Sequence, residues 1–180
     1  MSKVAIGLRA QKGGAVIVAV SVTAGVPKLL LSSFLPTAAE GDRLAFEPYL
    51  AASELSPAAA AAAVIEGRKR QDEMAARGLR AIAAQVNAGT AALLVNRAGW
   101  VTDLLNYSRE WPEHIPVAEG LAVREALRFG VRECGLKLVE VDEKSLPHPA
   151  EHVAALGKVT LKPWRKEQKL AYLAAYGVHR

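Results

Sequence analysis

No carboxylate occurs in the first 39 residues of this chain; the first is Glu40. Cysteine is almost as scarce. The single Cys134 excludes an internal disulfide and points to a reducing compartment, so a cytoplasmic location is expected. Long apolar runs are missing too. None approaches the roughly 20 residues needed to span a bilayer, so no membrane partner is expected. Lys3, Arg9 and Lys12 ahead of Ala15–Val20 have the layout of a secretion leader. However, Ser21 and Thr23 alternate with Val22, a second apolar run opens at Val26, and β-branched residues dominate; this is strand chemistry rather than a leader. A Walker-type phosphate loop is absent.

What is present is a chain of 180 residues, 51% hydrophobic and 23% charged, enough for one domain with its own core. The formal net charge of +5 is unevenly spread. The opening segment carries Lys3, Arg9, Lys12 and Lys28 against no acid. The closing segment carries Lys158, Lys162, Arg165, Lys166, Lys169 and Arg180 against Glu167. The centre is therefore net acidic, and if the termini meet in space the molecule has a positive pole. The plainer alternative is that these cations solubilise strand edges and a helix face.

Apolar periodicity and turn residues divide the chain into elements. Val4–Leu8, Ala15–Thr23 and Lys28–Phe34 read as strands, joined through Gly13-Gly14 and Gly25-Val26-Pro27. Residues 37–56 form a connection over the core surface, with Leu44, Phe46, Tyr49 and Leu50 as apolar anchors. Ser56-Pro57 opens a helix that runs to about Val86 and closes at Asn87 and Gly89. Ala91–Val95 is a continuous apolar run, the mark of a buried central strand. A short helix over Trp100–Tyr107, a helix over Val117–Cys134, a fifth strand over Leu136–Val141, a short helix over Pro149–Leu156 and a last helix from Pro163 to about Tyr176 complete the series.

Three polar groupings stand out. His148-Pro149-Ala150-Glu151-His152 matches the H-x-x-E-H string of zinc proteases, but Pro149 starts a helix and leaves His148 outside it; solvated histidines are the expected reading. Glu119, Arg124, Glu125, Arg128, Arg132 and Glu133 decorate the Val117–Cys134 helix, where surface pairing such as Glu125 with Arg128 accounts for much of the charge. Glu119, in the first turn, has a second reading as a polar anchor. Trp164 with Lys162, Arg165, Lys166 and Lys169 is the densest basic-aromatic cluster, able to stack a base and hold phosphates or, alternatively, to cap the core at the helix start. Arg165 and Lys166 in a first helical turn oppose the helix dipole, which favours a ligand-binding purpose.

The first strand ends Ile6-Gly7-Leu8-Arg9, the fourth ends Leu94-Val95-Asn96, and the last helix reads Lys166-Glu167-Gln168-Lys169-Leu170-Ala171. With the order β-β-β-α-β-α-β-α, the chain resembles the ribonuclease H-like superfamily, which includes Holliday-junction resolvases and, more distantly, actin-like ATPases. Through Ala118-Glu119-Gly120, Arg124-Glu125-Ala126-Leu127 and Pro163-Trp164 to Gln168-Lys169-Leu170 it is also similar to a bacterial group lacking the usual acidic metal ligands. The resemblance implies an α/β fold: a ribonuclease H-like mixed five-stranded sheet, three antiparallel strands then two alternating with helices, and helices on both faces. It also implies that residues 1–180 are a single such domain.

In the family the three positions typically hold Asp, Glu and an Asp-rich helix start. Here they hold Arg9, Asn96 and a lysine-flanked Glu167. Two-metal phosphodiester hydrolysis needs several carboxylates converging on Mg²⁺, and a cation in their place reverses the sign of the interaction. No catalytic residue, metal or cofactor is therefore expected. The expectation is a non-catalytic module in which Arg9, Lys12, Asn96, Trp164, Lys166 and Lys169 receive a phosphate-bearing partner, nucleic acid or another polyanion. Two alternatives stand beside it. One is a divergent metal-dependent nuclease or phosphotransferase whose carboxylates come from elsewhere, such as Asp103 and Glu119. The other is a self-association or scaffold domain, a homodimer formed through the Ala-rich helix or an exposed strand edge.

Overall fold

The computed structural model describes residues 3–96, 101–146, 153, 156 and 163–179. The opening apolar runs form β1 (Lys3–Gln11), β2 (Gly14–Thr23) and β3 (Val26–Pro36), an antiparallel meander. β1 extends beyond its apolar stretch through Arg9, Ala10 and Gln11. The tight turn at Lys12-Gly13, with Gly13 at φ 76°, keeps the ladder paired to Gln11↔Gly14, so backbone bonding carries the strand past the last large apolar side chain.

The segment expected to be a bare connection contains two short helices, α1 (Arg43–Phe46) and α2 (Pro48–Ala52). Asp42 accepts from the Ala45 backbone N–H at 3.1 Å to start α1, and Pro48 opens α2 at its first position. Tyr49 is fully buried there, whereas Phe46 and Leu50 remain exposed. α3 (Pro57–Val86) is 30 residues long and ends on Asn87 in the left-handed conformation.

β4 (Thr90–Val95), α4 (Leu104–Glu110), α5 (Ile115–Glu133) and β5 (Lys137–Asp142) follow. The helix expected over Trp100–Tyr107 is thus found at Leu104–Glu110, because Asp103 accepts from the Asn106 backbone N–H at 3.0 Å and sets the start. The last helix, α6 (Lys166–Gly177), begins three residues after Pro163; the Gln168 side chain accepts from the Arg165 backbone N–H at 2.9 Å and makes Arg165 the cap. The histidine pair His148 and His152, and most of the expected Pro149–Leu156 helix, lie outside the described residues.

The five strands lie in the order β3-β2-β1-β4-β5, with β4 parallel to both β1 and β5. Alternation along the strands sends Ile6, Leu8, Ile17 and Leu93 to one face, against Leu79 of α3 and Val123, Leu127 and Val131 of α5. It sends Ala5, Val16, Val18 and Val20 to the other face, against Ala171, Tyr172 and Ala175 of α6.

One glycine sets the spacing on that second face. A Cβ on Gly7 would lie 1.8 Å from the Ala171 carbonyl oxygen, so α6 rests directly on the β1 backbone. The first strand and the last helix are therefore neighbours, and the start of α6 with Arg165 and Lys166 lies at the sheet end that carries Arg9, whereas Lys3 and Lys28 lie at the opposite end.

Candidate nucleic-acid interface

Arg9 lies two residues beyond Gly7 in β1 and so projects on the same face, toward α6. Its guanidinium is not free. Nε and Nη2 each donate to a carboxylate oxygen of Glu143 at 3.2 Å, a two-pronged pair, with the side chains 24% and 32% exposed. Glu143 opens the 3₁₀ turn Glu143–Ser145 directly after β5, so the parallel β1-β4-β5 arrangement brings residues 134 positions apart into contact.

Asn96 follows β4, and its Oδ1 accepts from Arg124 Nη1 at 2.9 Å. Arg124 is half-buried on α5. Burial, helped by neighbouring Arg128, holds its pKa below the usual arginine value, and its buried Nε has no partner among the described residues. Arg128 in turn donates to Glu140 of β5 and to Glu125 one turn back on α5. The expected Glu125–Arg128 surface pair is present, and Arg124 and Arg128 lie one turn apart on α5.

On α6, Lys166 is exposed and Lys169 partly covered. Lys166 lies one turn before Leu170, which packs with Leu94 of β4 and Val141 of β5, so the helix carries Lys166 above the strand that ends at Asn96. On the β2–β3 side, Arg165 and Glu167 share a groove of about 670 Å³ with Gln11 and Phe34.

Two residues of the expected set go elsewhere. Lys12 sits at the hairpin tip, its Nζ 2.6 Å from Glu47 Oε1 and 5.3 Å from the Phe46 ring centre, turned toward α2 and α5 rather than α6. Trp164 belongs to the α6-face core. Its Nε1 donates to the Val153 carbonyl at 2.8 Å and its ring meets Tyr172 edge-on at 6.0 Å, so the indole caps that core.

No family model matches the chain, and no curated protein matches it. Solved structures share its architecture, two RuvC structures among them. One is "T. thermophilus RuvC in complex with Holliday junction substrate", 13% identical over 97% of this chain and 91% of that one, TM-score 0.54. The other is "Thermus thermophilus RuvC structure", 11% identical over 96% and 91% respectively, TM-score 0.55. The chain has the ribonuclease H-like fold.

The ribonuclease H-like fold makes a test of the donor set possible. At the sheet end where the resemblance places metal ligands stand Arg9, Asn96 and Glu167. Arg9 is already bonded to a carboxylate, Asn96 to an arginine, and among the described residues no group of three His, Cys, Asp or Glu side chains could hold a metal ion. These residues do not fit a two-metal centre. Among the described residues, no helix is long and apolar enough to cross a membrane. β3 is an outer strand of the fold with Val26, Leu30 and Phe34 exposed, the kind of edge on which the self-association expectation rests.

Glu119 corrects the surface-pairing expectation. It is 4% exposed, and its Oε1 accepts from the backbone N–H groups of Tyr49 and Leu50, both at 2.9 Å, pinning α2 to α5. The sequence signal was its position: Glu119 is four residues after Ile115 and three before Ala122, inside the buried stripe of α5.

Burial pushes the Glu119 pKa up to about 7, against the opposing pull of the two backbone bonds. A carboxyl raised in the folded state is favoured protonated. It therefore costs nothing below its unfolded pKa and destabilises progressively as pH rises from about 4.5 to about 7. Glu119→Gln keeps an acceptor for Tyr49 and Leu50 without the charge. Denaturant titration is expected to show it flattening the loss of stability across that window, by up to about 3 kcal/mol at neutral pH and above.

Proposed function

We propose that this chain is a non-catalytic ribonuclease H-like module, spanning residues 1–180, that binds the phosphate backbone of nucleic acid or another polyanion at the end of its sheet where Arg9, Asn96 and the start of α6 lie. The observation that carries the reading is Arg9, a guanidinium on the α6 face of β1 where the resemblance leads one to expect an aspartate. The basic start of α6 beside it and the likeness to a RuvC structure described in complex with a Holliday junction substrate support the same reading.

The Glu143 pair is compatible with this role. Both side chains retain solvent contact, so a phosphate can replace the carboxylate on the guanidinium fork. Until then Glu143 keeps the fork in place.

The test is fluorescence anisotropy with a labelled four-way DNA junction and a linear duplex, across a salt series and with Mg²⁺ or Mn²⁺ present. Binding is expected at low salt, weakening about tenfold or more between about 50 and 200 mM, with no strand cleavage. Absence of low-salt binding would end the proposal. Metal-dependent cleavage would replace it with the divergent-nuclease alternative.

A further inference from the structure

On the face of the sheet opposite α6, a pocket of about 360 Å³ opens between the hairpin tip, α2 and the start of α5. Leu50, Ile115 and Pro116 make its wall largely apolar. Glu119 lines it, 4% exposed, with Oε1 held by the two α2 backbone N–H groups and Oε2 buried without a partner among the described residues. A buried acceptor left open is costly, and a charge-complementary group in the pocket would offset that cost.

A second observation points the same way. Gly120, beside Glu119 on the wall, sits inside a helix where glycine costs about 1 kcal/mol relative to alanine. Most helical glycines that survive this cost let a neighbour approach closely. Gly120 does not: a Cβ there would meet nothing within 4 Å. Its absent side chain keeps space clear in the pocket.

The charges choose the class of occupant. Glu119 comes from α5, Glu47 from the cap of α2, Glu113 from the 3₁₀ turn before α5 and Lys12 from the hairpin. Lys12 is taken by Glu47 at 2.6 Å, which leaves the carboxylates of Glu119 and Glu113 in excess.

We propose that this pocket binds a small organic ammonium ion with an apolar body, its charged end facing the Glu119 carboxyl and its body lying against Leu50, Ile115 and Pro116. The site is separate from the α6 face and does not depend on the nucleic-acid reading.

The test uses phenethylammonium, with the equally sized anion hydrocinnamate as control, titrated into the full chain by calorimetry and by ¹H–¹⁵N NMR. Phenethylammonium is expected to saturate and to bind about tenfold more weakly at about pH 6 than at about pH 8, as Glu119 takes up a proton. Glu119→Gln is expected to remove that pH dependence and weaken binding. Gly120→Leu, which fills the pocket from a helix position with room for it, is expected to fold with an unchanged or higher Tm and to lose binding. No saturation by about 10 mM, equal binding of hydrocinnamate, or undiminished binding in folded Gly120→Leu would each overturn it.

Discussion

Arg9→Glu is expected to abolish low-salt binding of the labelled junction. The substitution removes a cation from the centre of the proposed interface and places a second carboxylate beside Glu143, at a separation where like charges repel strongly in partly covered surroundings. Affinity should fall by more than about tenfold, with a shallower dependence on salt, since fewer phosphate contacts are neutralised. The partner substitution runs in the opposite direction. Glu143→Gln releases the guanidinium from its competing anion and should tighten binding several-fold while the fold is retained. Opposite signs from two residues in one ion pair are hard to obtain by indirect damage. If both variants bind as the parent does, Arg9 is a structural ion-pair partner and the interface lies elsewhere.

Gly7→Val is expected to prevent stable folding. The added Cβ falls 1.8 Å from the Ala171 carbonyl oxygen, 2.7 Å from its carbon and 3.1 Å from the Ala175 nitrogen. These are backbone atoms, so no rotamer change relieves the overlap and the whole of α6 must lift. Tyr172 and Ala174 would then lose contact with β2 and β4. Misfits of this kind cost on the order of 3 kcal/mol or more, a large share of the stability of a domain this size. Thermal unfolding followed by circular dichroism reads the effect directly. A variant melting within a few degrees of the parent would mean that α6 is not seated on β1, and the placing of the α6 start beside Arg9 would fail with it.

The sheet was legible because its signals are local. Apolar runs at 4–8, 15–22 and 91–95 separated by glycine-bearing turns give the strands, and Ser56-Pro57 with Asn87 bounds α3 within a residue or two. α1 and α2 were missed because five residues or fewer show no helical period; only Asp42 and Pro48 announce them. At the site, Arg9 was visible as an anomaly, but its partner was not. Glu143 reaches it through strand order, and spacing along the chain carries no trace of a contact across 134 residues. Lys12 was misplaced for a related reason: a hairpin tip can turn to either face of the sheet, and here Glu47 and Phe46 decide which. Trp164 illustrates the limit of composition. A tryptophan amid lysines has the same sequence whether its indole stacks on a ligand or donates to Val153.

α3 has one property that none of the strands shares. At 1.5 Å per residue its 30 residues reach about 45 Å, more than twice the length of β4. Its C-terminal portion contributes Leu79 to the sheet core. Its N-terminal portion, through Ala60 and Val64, joins a separate cluster with Tyr49, Ile115 and Ala118. α5 does the same, with Ile115, Ala118 and Ala122 in the outer cluster and Val123, Leu127 and Val131 in the inner one. Local opening is expected to begin in the outer cluster, with α2 and the pocket it walls, while the inner halves of both helices stay held against the sheet; hydrogen exchange would read this as weaker protection at Ala60 and Val64 than at Leu79.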